Sequence, residues 1–420
     1  MSGAGAEAPA LARPAAAPPA TRLRVRRVPG LPVVAVRVVL PGGARCEALA
    51  GQAYLTGRML AEGSLSRDFR RIAIDLESRG MVFATAGTFE SLGVSIDALS
   101  ADWELALAWA AELALEPAFP AERCAWVRKQ ILAELESLGD QPEVRTGWTF
   151  TEQLYAPHPR ARRLQGDPEA LGRLSPADCA AFHGASAAGG ALVAVAGEVD
   201  PERVEERVRE IFPAGEGPGP APLAPPAPRG GPARLEVALR GSDQAHLYLG
   251  HLTLPRRHPD TACLELAAVI LGSGSGLTGR IPQRIREREG LAYTAFAQTL
   301  AGMGLDPGRL VAYVGTSPAT VERAERGVVE ELERLVAEGL GEEELEEARS
   351  YLLGRDPFRR ETARQWADLL AEAEFYGLPL DDPGWREAQL RAPDQAAVEA
   401  AIRRHLRPQD LKVTVGLPAP

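Results

Sequence analysis

At 420 residues the chain is long enough for two or more domains, each with its own core. Apolar residues make up 45% and charged residues 25%, ordinary values for a globular protein, and a formal charge of −10 argues against a general nucleic-acid binder. Cys46, Cys124, Cys179 and Cys263 form no CxxC pair, which argues against zinc fingers and disulfide scaffolds, and no run of about 18 apolar residues exists to span a membrane.

Residues 1–21 form an Ala/Pro tract without a basic region followed by an apolar one, so they predict a disordered leader rather than a signal peptide, and a cytoplasmic protein. Apolar residues alternate from Arg22 to Leu40 around Pro29-Gly30, which predicts a hairpin. Glu47 to Glu62 reads as a helix. A second helix, capped by Asp68, runs to Ser78 and stops at Gly80. Strands are expected near 81–86 and 91–98, and then a helix capped by Ser100 and reaching Leu115. Further helices are expected at 122–138, 142–155, 175–183 and 201–211, with a buried strand at 191–197 before the last.

Eight prolines then fall between Pro213 and Pro232, a segment too poor in apolar side chains for a core and too stiff to fold back compactly, which predicts a linker. Beyond it the pattern repeats. Leu254-Pro255 answers Leu40-Pro41, and residues 76–85, LESRGMVFAT, align without a gap with 286–295, REREGLAYTA. Arg309 to Gly315 parallels Ser91 to Ala98, and Ser317-Pro318 reads as a serine cap with proline in the first helical turn. Both halves close on a strand, near 192–196 and 411–415. The expected class is therefore α+β: two similar domains, 22–212 and 233–420, joined by the linker 213–232, each an antiparallel-rich sheet with helices on one face.

The most informative stretch is Gly272 to Tyr293, GSGSGLTGRIPQRIREREGLAY. Gly274-x-Gly276-x-x-Gly279 matches the dinucleotide fingerprint in letters only. It follows a helical pattern instead of a strand, and no acidic residue lies about 20 positions on. Arg286 near the end of a helix and Tyr293 on the next strand can aim a guanidinium and a phenol at one spot, as two donors to a carbonyl or oxyanion. A charge run such as this one is also compatible with an ordinary solvated face.

The whole string resembles the second-half signature of the insulinase/pitrilysin family of zinc peptidases, in the small subunits akin to mitochondrial processing peptidase. There a glycine-rich loop, a helix, an Arg and a Gly-Leu-Ala-Tyr-like strand start occur in this register. The resemblance implies that Arg286 and Tyr293 act on a peptide, with Gly272, Gly274, Gly276 and Gly279 flanking it. It also implies a zinc motif, His-x-x-Glu-His, on the first helix, with a Glu about 76 residues later as third ligand. Here Tyr54 stands for the first His, Gly57 for the general base and Arg58 for the second His, and only Glu134 keeps its type. A phenol and a cation do not replace two neutral imidazoles. For Glu134 the expectation is a surface carboxylate, with pairing to Arg58 as the other choice.

His158, His183, His246, His251, His258 and His405 show no HxxH or HxxxH spacing, and each is expected to be structural or exposed. The resemblance thus implies a zinc-free, non-catalytic subunit. It would bind no cofactor, and its homologous partner would carry the His-x-x-Glu-His zinc. Arg286 and Tyr293 would act in trans on a peptide. A catalytically inert structural or peptide-binding module of the same fold is the alternative.

Overall fold

The computed structural model describes residues 21–215, 217, 219–228, 230–231, 233–274 and 279–419. Gly276 and the leader up to residue 20 lie outside the described residues. Ten strands fall in two groups: β1 Arg22–Arg27, β2 Val33–Pro41, β3 Val82–Gly87, β4 Ser91–Leu99 and β5 Leu192–Gly197, then β6 Ala233–Arg240, β7 Ala245–Leu252, β8 Ala292–Ala301, β9 Arg309–Thr316 and β10 Lys412–Ala419. They make two five-stranded sheets with orders β1-β5-β2-β4-β3 and β6-β10-β7-β9-β8. The two orders are identical once the second is shifted by five, so the repeat in the sequence is a repeat in topology. In each sheet only the first and last strands of the half run parallel, β1 with β5 and β6 with β10.

That order corrects the expected hairpin. β1 and β2 follow each other in the chain but do not pair, because β5, buried at all six positions, inserts between them. β10 separates β6 from β7 in the same way. A fully apolar strand gains most when it is covered on both faces, which puts it inside the sheet.

Each half lays its own helices on one face of its sheet. In the first half these include Gln52–Met59, Trp103–Leu115, Ala121–Gly139 and Pro176–Ala188, and in the second Thr261–Ala268, Val321–Glu338 and Gln395–His405. The other face of each sheet receives a helix from the opposite half. Ala363–Tyr376 packs Trp366 and Leu370 onto Ala35, Leu192, Ala194 and Ala196 of the first sheet. Pro142–Tyr155 packs Phe150 and Leu154 onto Leu252 and Val311 of the second.

A buried polar seam joins the halves around the loop between β8 and β9. Asp306 is fully buried and takes two hydrogen bonds from Arg45, 3.2 and 2.9 Å. Burial works against the Arg45 charge, but the paired Asp306 outweighs it and leaves the guanidinium pKa raised. Glu90 accepts from the Leu305 amide and from the Tyr376 hydroxyl, both at 2.7 Å, and Tyr155 donates to Pro307 O at 3.0 Å.

Several expected boundaries shift. The first helix begins at Gln52 instead of Glu47, because Glu47 turns its carboxylate back onto the amides of Gly51 and Ala53, at 3.1 and 3.0 Å. Ser100 does not cap. It opens a short 3₁₀ turn before the helix Trp103–Leu115, and its hydroxyl has no partner among the described residues. Ser317 likewise forms a turn with Thr320, and the helix starts at Val321. The linker's backbone bonds to the first half: Gly217 donates to Ala188 O at 3.0 Å, Thr21 donates to Pro213 O at 2.8 Å, and Arg45 reaches Leu223 O at 3.3 Å. Proline stiffness restricts the linker's own shape but does not stop its backbone groups from bonding a neighbouring surface.

Candidate functional site

Gly272 and Gly279 bring the two ends of the glycine-rich loop together. Both have positive φ, and a Cβ on Gly279 would sit 2.6 Å from the Gly272 Cα, so any side chain there would force the neck apart. Gly274 lies just inside the neck and is described, while residues 275–278 are not. From Arg280 the chain makes one α-turn and then widens into a π-helical turn, Gln283–Arg288, anchored by the buried Ile281 and Ile285. Such wide turns recur at functional sites because the extra residue redirects side chains.

The arginines of this helix are not equivalent. Arg280 is held by Glu344 at 2.8 and 2.7 Å and by Gly339 O at 3.0 Å. Arg284 is held by Glu289 at 2.9 Å, with Glu330 and Glu331 alongside. The bond to Glu344 raises the Arg280 pKa and the bond to Glu289 raises that of Arg284. Arg286 has no carboxylate or other hydrogen-bond partner among the described residues. Its guanidinium carbon lies 5.3 Å from the centroid of the Tyr293 ring, a cation–π contact worth about 0.5–1 kcal/mol at an exposed position.

Tyr293 is at the free edge of the second sheet. β8 pairs Ala292 with Thr316 and Thr294 with Gly315, so Tyr293 is the extra residue of a β-bulge. Its side chain is 84% exposed. The structure therefore brings the half-buried Arg286 and the exposed Tyr293 together, each at a local irregularity of the backbone.

The four first-half positions also come together, but as a closed network. Tyr54 donates to Glu134, its hydroxyl 3.0 Å from each carboxylate oxygen. Gln165 adds a bond to Oε1 at 3.0 Å. Arg58 reaches Glu134 Oε2 at 3.3 Å and Gln130 at 2.9 Å. Burial, with the Glu134 bond behind it, pushes the Tyr54 hydroxyl pKa up. Glu134 is thus a half-buried, shared acceptor, which corrects the expected surface carboxylate: the polar face of its helix turns toward the helix Gln52–Met59.

Gly57 carries a second departure. A Cβ there would stand 2.0 Å from the Gly87 amide nitrogen and 2.3 Å from the Ala86 carbonyl carbon, and one on Gly87 would meet Ala53 O at 2.0 Å. Helix and edge strand touch backbone to backbone at this point, so no carboxylate can stand at position 57. Zinc does not fit this donor set: one carboxylate with its oxygens committed, one phenol and one cation offer no second neutral ligand.

Histidines serve the scaffold. His183 bonds Ala114 O at 2.7 Å, and His246 bonds the Tyr313 hydroxyl at 3.0 Å. His251 lies between Leu252 O and the Arg407 amide, at 2.9 and 3.0 Å. Spacing gave no sign of one cluster: His258, Asp260 and His405 place ligand-capable atoms within 4.8 Å of one another, although 145 residues separate Asp260 from His405. Asp260 already accepts from His405 at 2.7 Å and Arg404 at 2.9 Å, and its amide donates to His258 at 3.1 Å. The cluster docks the end of the helix Gln395–His405 onto the helix Thr261–Ala268.

A model of the insulinase family, peptidase family M16, matches residues 25–166, and a model of the peptidase M16 inactive domain matches residues 186–352. The chain belongs to peptidase family M16, in agreement with the resemblance read from Gly272 to Tyr293. It is 27% identical over 368 residues to an uncharacterized zinc protease of Mycobacterium leprae, covering 86% of this chain and 82% of that one. It is 22% identical to a non-peptidase homolog, YmxG, of Helicobacter pylori, covering 87% and 84%. Among solved structures, a peptidase M16 inactive domain protein from Pseudomonas fluorescens superposes with a TM-score of 0.87 at 24% identity, covering 96% of each chain. A Helicobacter pylori protease gives 0.85 at 18% identity, covering 95% and 98%. These likenesses show the two-sheet α+β fold. No helix among the described residues is long and apolar enough to cross a membrane.

Proposed function

We propose that this chain is the non-catalytic member of a two-chain M16 metalloendopeptidase. It would lend Arg286 and Tyr293 to a peptide held at the zinc of a homologous His-x-x-Glu-His partner. The observation that carries this reading is a contrast within one molecule. The zinc-motif positions are tied up in the Tyr54–Glu134–Arg58 network and crowded at Gly57, while Tyr293 stands exposed and the half-buried Arg286 has no carboxylate partner among the described residues. The inactive-domain match and the non-peptidase name of one relative support it.

In this reading Tyr293 donates its hydroxyl to the scissile carbonyl oxygen as that oxygen gains charge, and Arg286 leaves the ring face to bind the same oxygen or the neighbouring carbonyl. Donors fixed before the reaction are worth on the order of 3 kcal/mol each in the transition state. This chain activates no water, since position 57 offers no base. The proposal also holds that positions 54, 58 and 134 bind no zinc.

The test is co-expression with an M16 homologue carrying His-x-x-Glu-His from the same genome. The two chains should co-purify, and either chain alone should be inactive. Arg286→Ala and Tyr293→Phe should each leave the complex assembled and lower kcat about 10²- to 10³-fold. Full activity in both variants overturns the assignment. One observation favours the inert-module reading: the guanidinium now lies over the Tyr293 ring, an arrangement that also suits a simple surface contact. That reading expects both variants to be silent.

A further inference from the structure

The second sheet carries an aromatic row on the face its own helices leave open. In register across three strands, Phe296 on β8 pairs with Tyr313 on β9, and Tyr313 with Tyr248 on β7. Their ring centroids are 5.4 and 4.9 Å apart, and Phe150 of the helix Pro142–Tyr155 continues the row 5.7 Å beyond Tyr248. That helix closes one end. At the other end Phe296 sits half-buried on the free edge strand, between the exposed Thr294 and Gln298. The Tyr313 hydroxyl is already satisfied by His246, which burial holds toward its neutral form.

The first half has nothing comparable. Carried on from the ungapped alignment, Phe296 answers Ala86 on β3, whose rung continues through Gly93 on β4 to Val39 on β2, with no aromatic side chain. The aromatic rung is therefore confined to the half that carries Arg286 and Tyr293. Phe296 lies three residues from Tyr293, roughly 10 Å along a strand at about 3.3 Å per residue. A half-open ring between a hydroxyl and an amide makes a patch the size of one side chain. That is far below the roughly 800 Å² per partner that a stable protein–protein interface covers.

We propose that Phe296 and Tyr313 floor a subsite for an aromatic or large aliphatic side chain of the peptide, about three residues from the bond that faces Tyr293. The inference rests on the function proposed above. Stacking on Phe296 and contact with the Tyr313 ring would cover apolar surface that is otherwise left to water. The subsite acts on binding instead of on bond breaking, so its signature belongs in KM.

The test uses the assembled complex and decapeptide mixtures randomised except for one fixed residue, Phe, Leu, Ala, Asp or Arg, with cleavage positions read by mass spectrometry. The intact complex should prefer Phe and Leu over Ala by about tenfold in kcat/KM at one position near the third from the cut. Phe296→Ala should erase that preference through KM, and Phe296→Leu should keep it. Calorimetric titration of the isolated full-length chain with the same mixtures needs no turnover. Phe mixtures should bind about tenfold more weakly to Phe296→Ala. A preference for Arg or Asp, or one that Phe296→Ala does not touch, overturns the subsite. Undiminished activity in Arg286→Ala and Tyr293→Phe instead overturns the reading beneath it, so the two failures are distinct.

Discussion

Leu76 and Phe83 occupy in the first half the places that Arg286 and Tyr293 occupy in the second, and in each half a left-handed glycine, Gly80 or Gly290, makes the turn between them. In the first half the unit is regular. The helix Phe69–Glu77 is α-helical throughout, Leu76 is fully buried, Phe83 packs partly buried against the core, and β3 pairs with β4 without a break. The second half winds the matching helix as a π turn and bulges β8 at the tyrosine. Two small irregularities turn the same scaffold from packing inward to presenting polar groups outward. The first half has gone the opposite way, closing its motif helix onto β3 until no side chain fits at position 57.

Four tests would break or sharpen this comparison. The largest effect is expected from Gly57→Glu, which forces a side chain into the Gly87 backbone. Chemical denaturation should show a loss of about 4 kcal/mol or more, and a stable, folded variant would mean that helix and strand are not locked. Next is Glu47, whose carboxyl is pushed up from 4.5 to about 7 by burial, against the pull of the Ala53 and Gly51 amides. The folded protein then keeps a proton that the unfolded chain has released. Stability from this group is therefore full below about pH 4.5 and declines by up to roughly 3 kcal/mol as pH rises to about 7. Glu47→Gln should flatten that slope, read from denaturation midpoints across the range. A slope of unchanged steepness counts against the buried carboxyl.

A matched pair comes third. Phe83→Ala should destabilise by about 2 kcal/mol, while Tyr293→Ala should stay within roughly 1 kcal/mol, since it gives up only an exposed cation–π contact. Equal losses would erase the distinction between the packed and the displayed aromatic. The smallest change in stability is expected from Tyr54→His combined with Arg58→His. With Glu134 these side chains complete a three-ligand set, so elemental analysis should find one zinc per chain. The variant should still cleave nothing, because position 57 has no base. Peptidase activity in this variant would show that the lost ligands alone separate the chain from catalysis.

Much of this was legible in the sequence. The ungapped match of 76–85 with 286–295 foretold the shared topology, and residue types alone set the non-ligands at 54 and 58 and the missing base at 57 apart from the motif. What escaped were features without a local signature. Pro29-Gly30 looks like a hairpin turn, yet the strand that separates β1 from β2 arrives from the far end of the half. Glu134 meets Tyr54 across 80 residues, and its acceptor role follows from packing, not from its own helix. The π turn and the bulge overlap an ungapped match, so no insertion in the sequence announces either of them. The row Phe296–Tyr313–Tyr248 is assembled by strand register alone, so no spacing along the chain announces it.

The exchanged helices bear on how such a molecule could arise. Each sheet borrows its second cover, Ala363–Tyr376 for one and Pro142–Tyr155 for the other, so a half made by itself would leave an apolar sheet face bare. A half-length ancestor could escape aggregation only by swapping that helix with a twin. Gene fusion would then have turned a swapped pair into a single polypeptide, leaving each copy free to mutate while the other preserved the shared architecture.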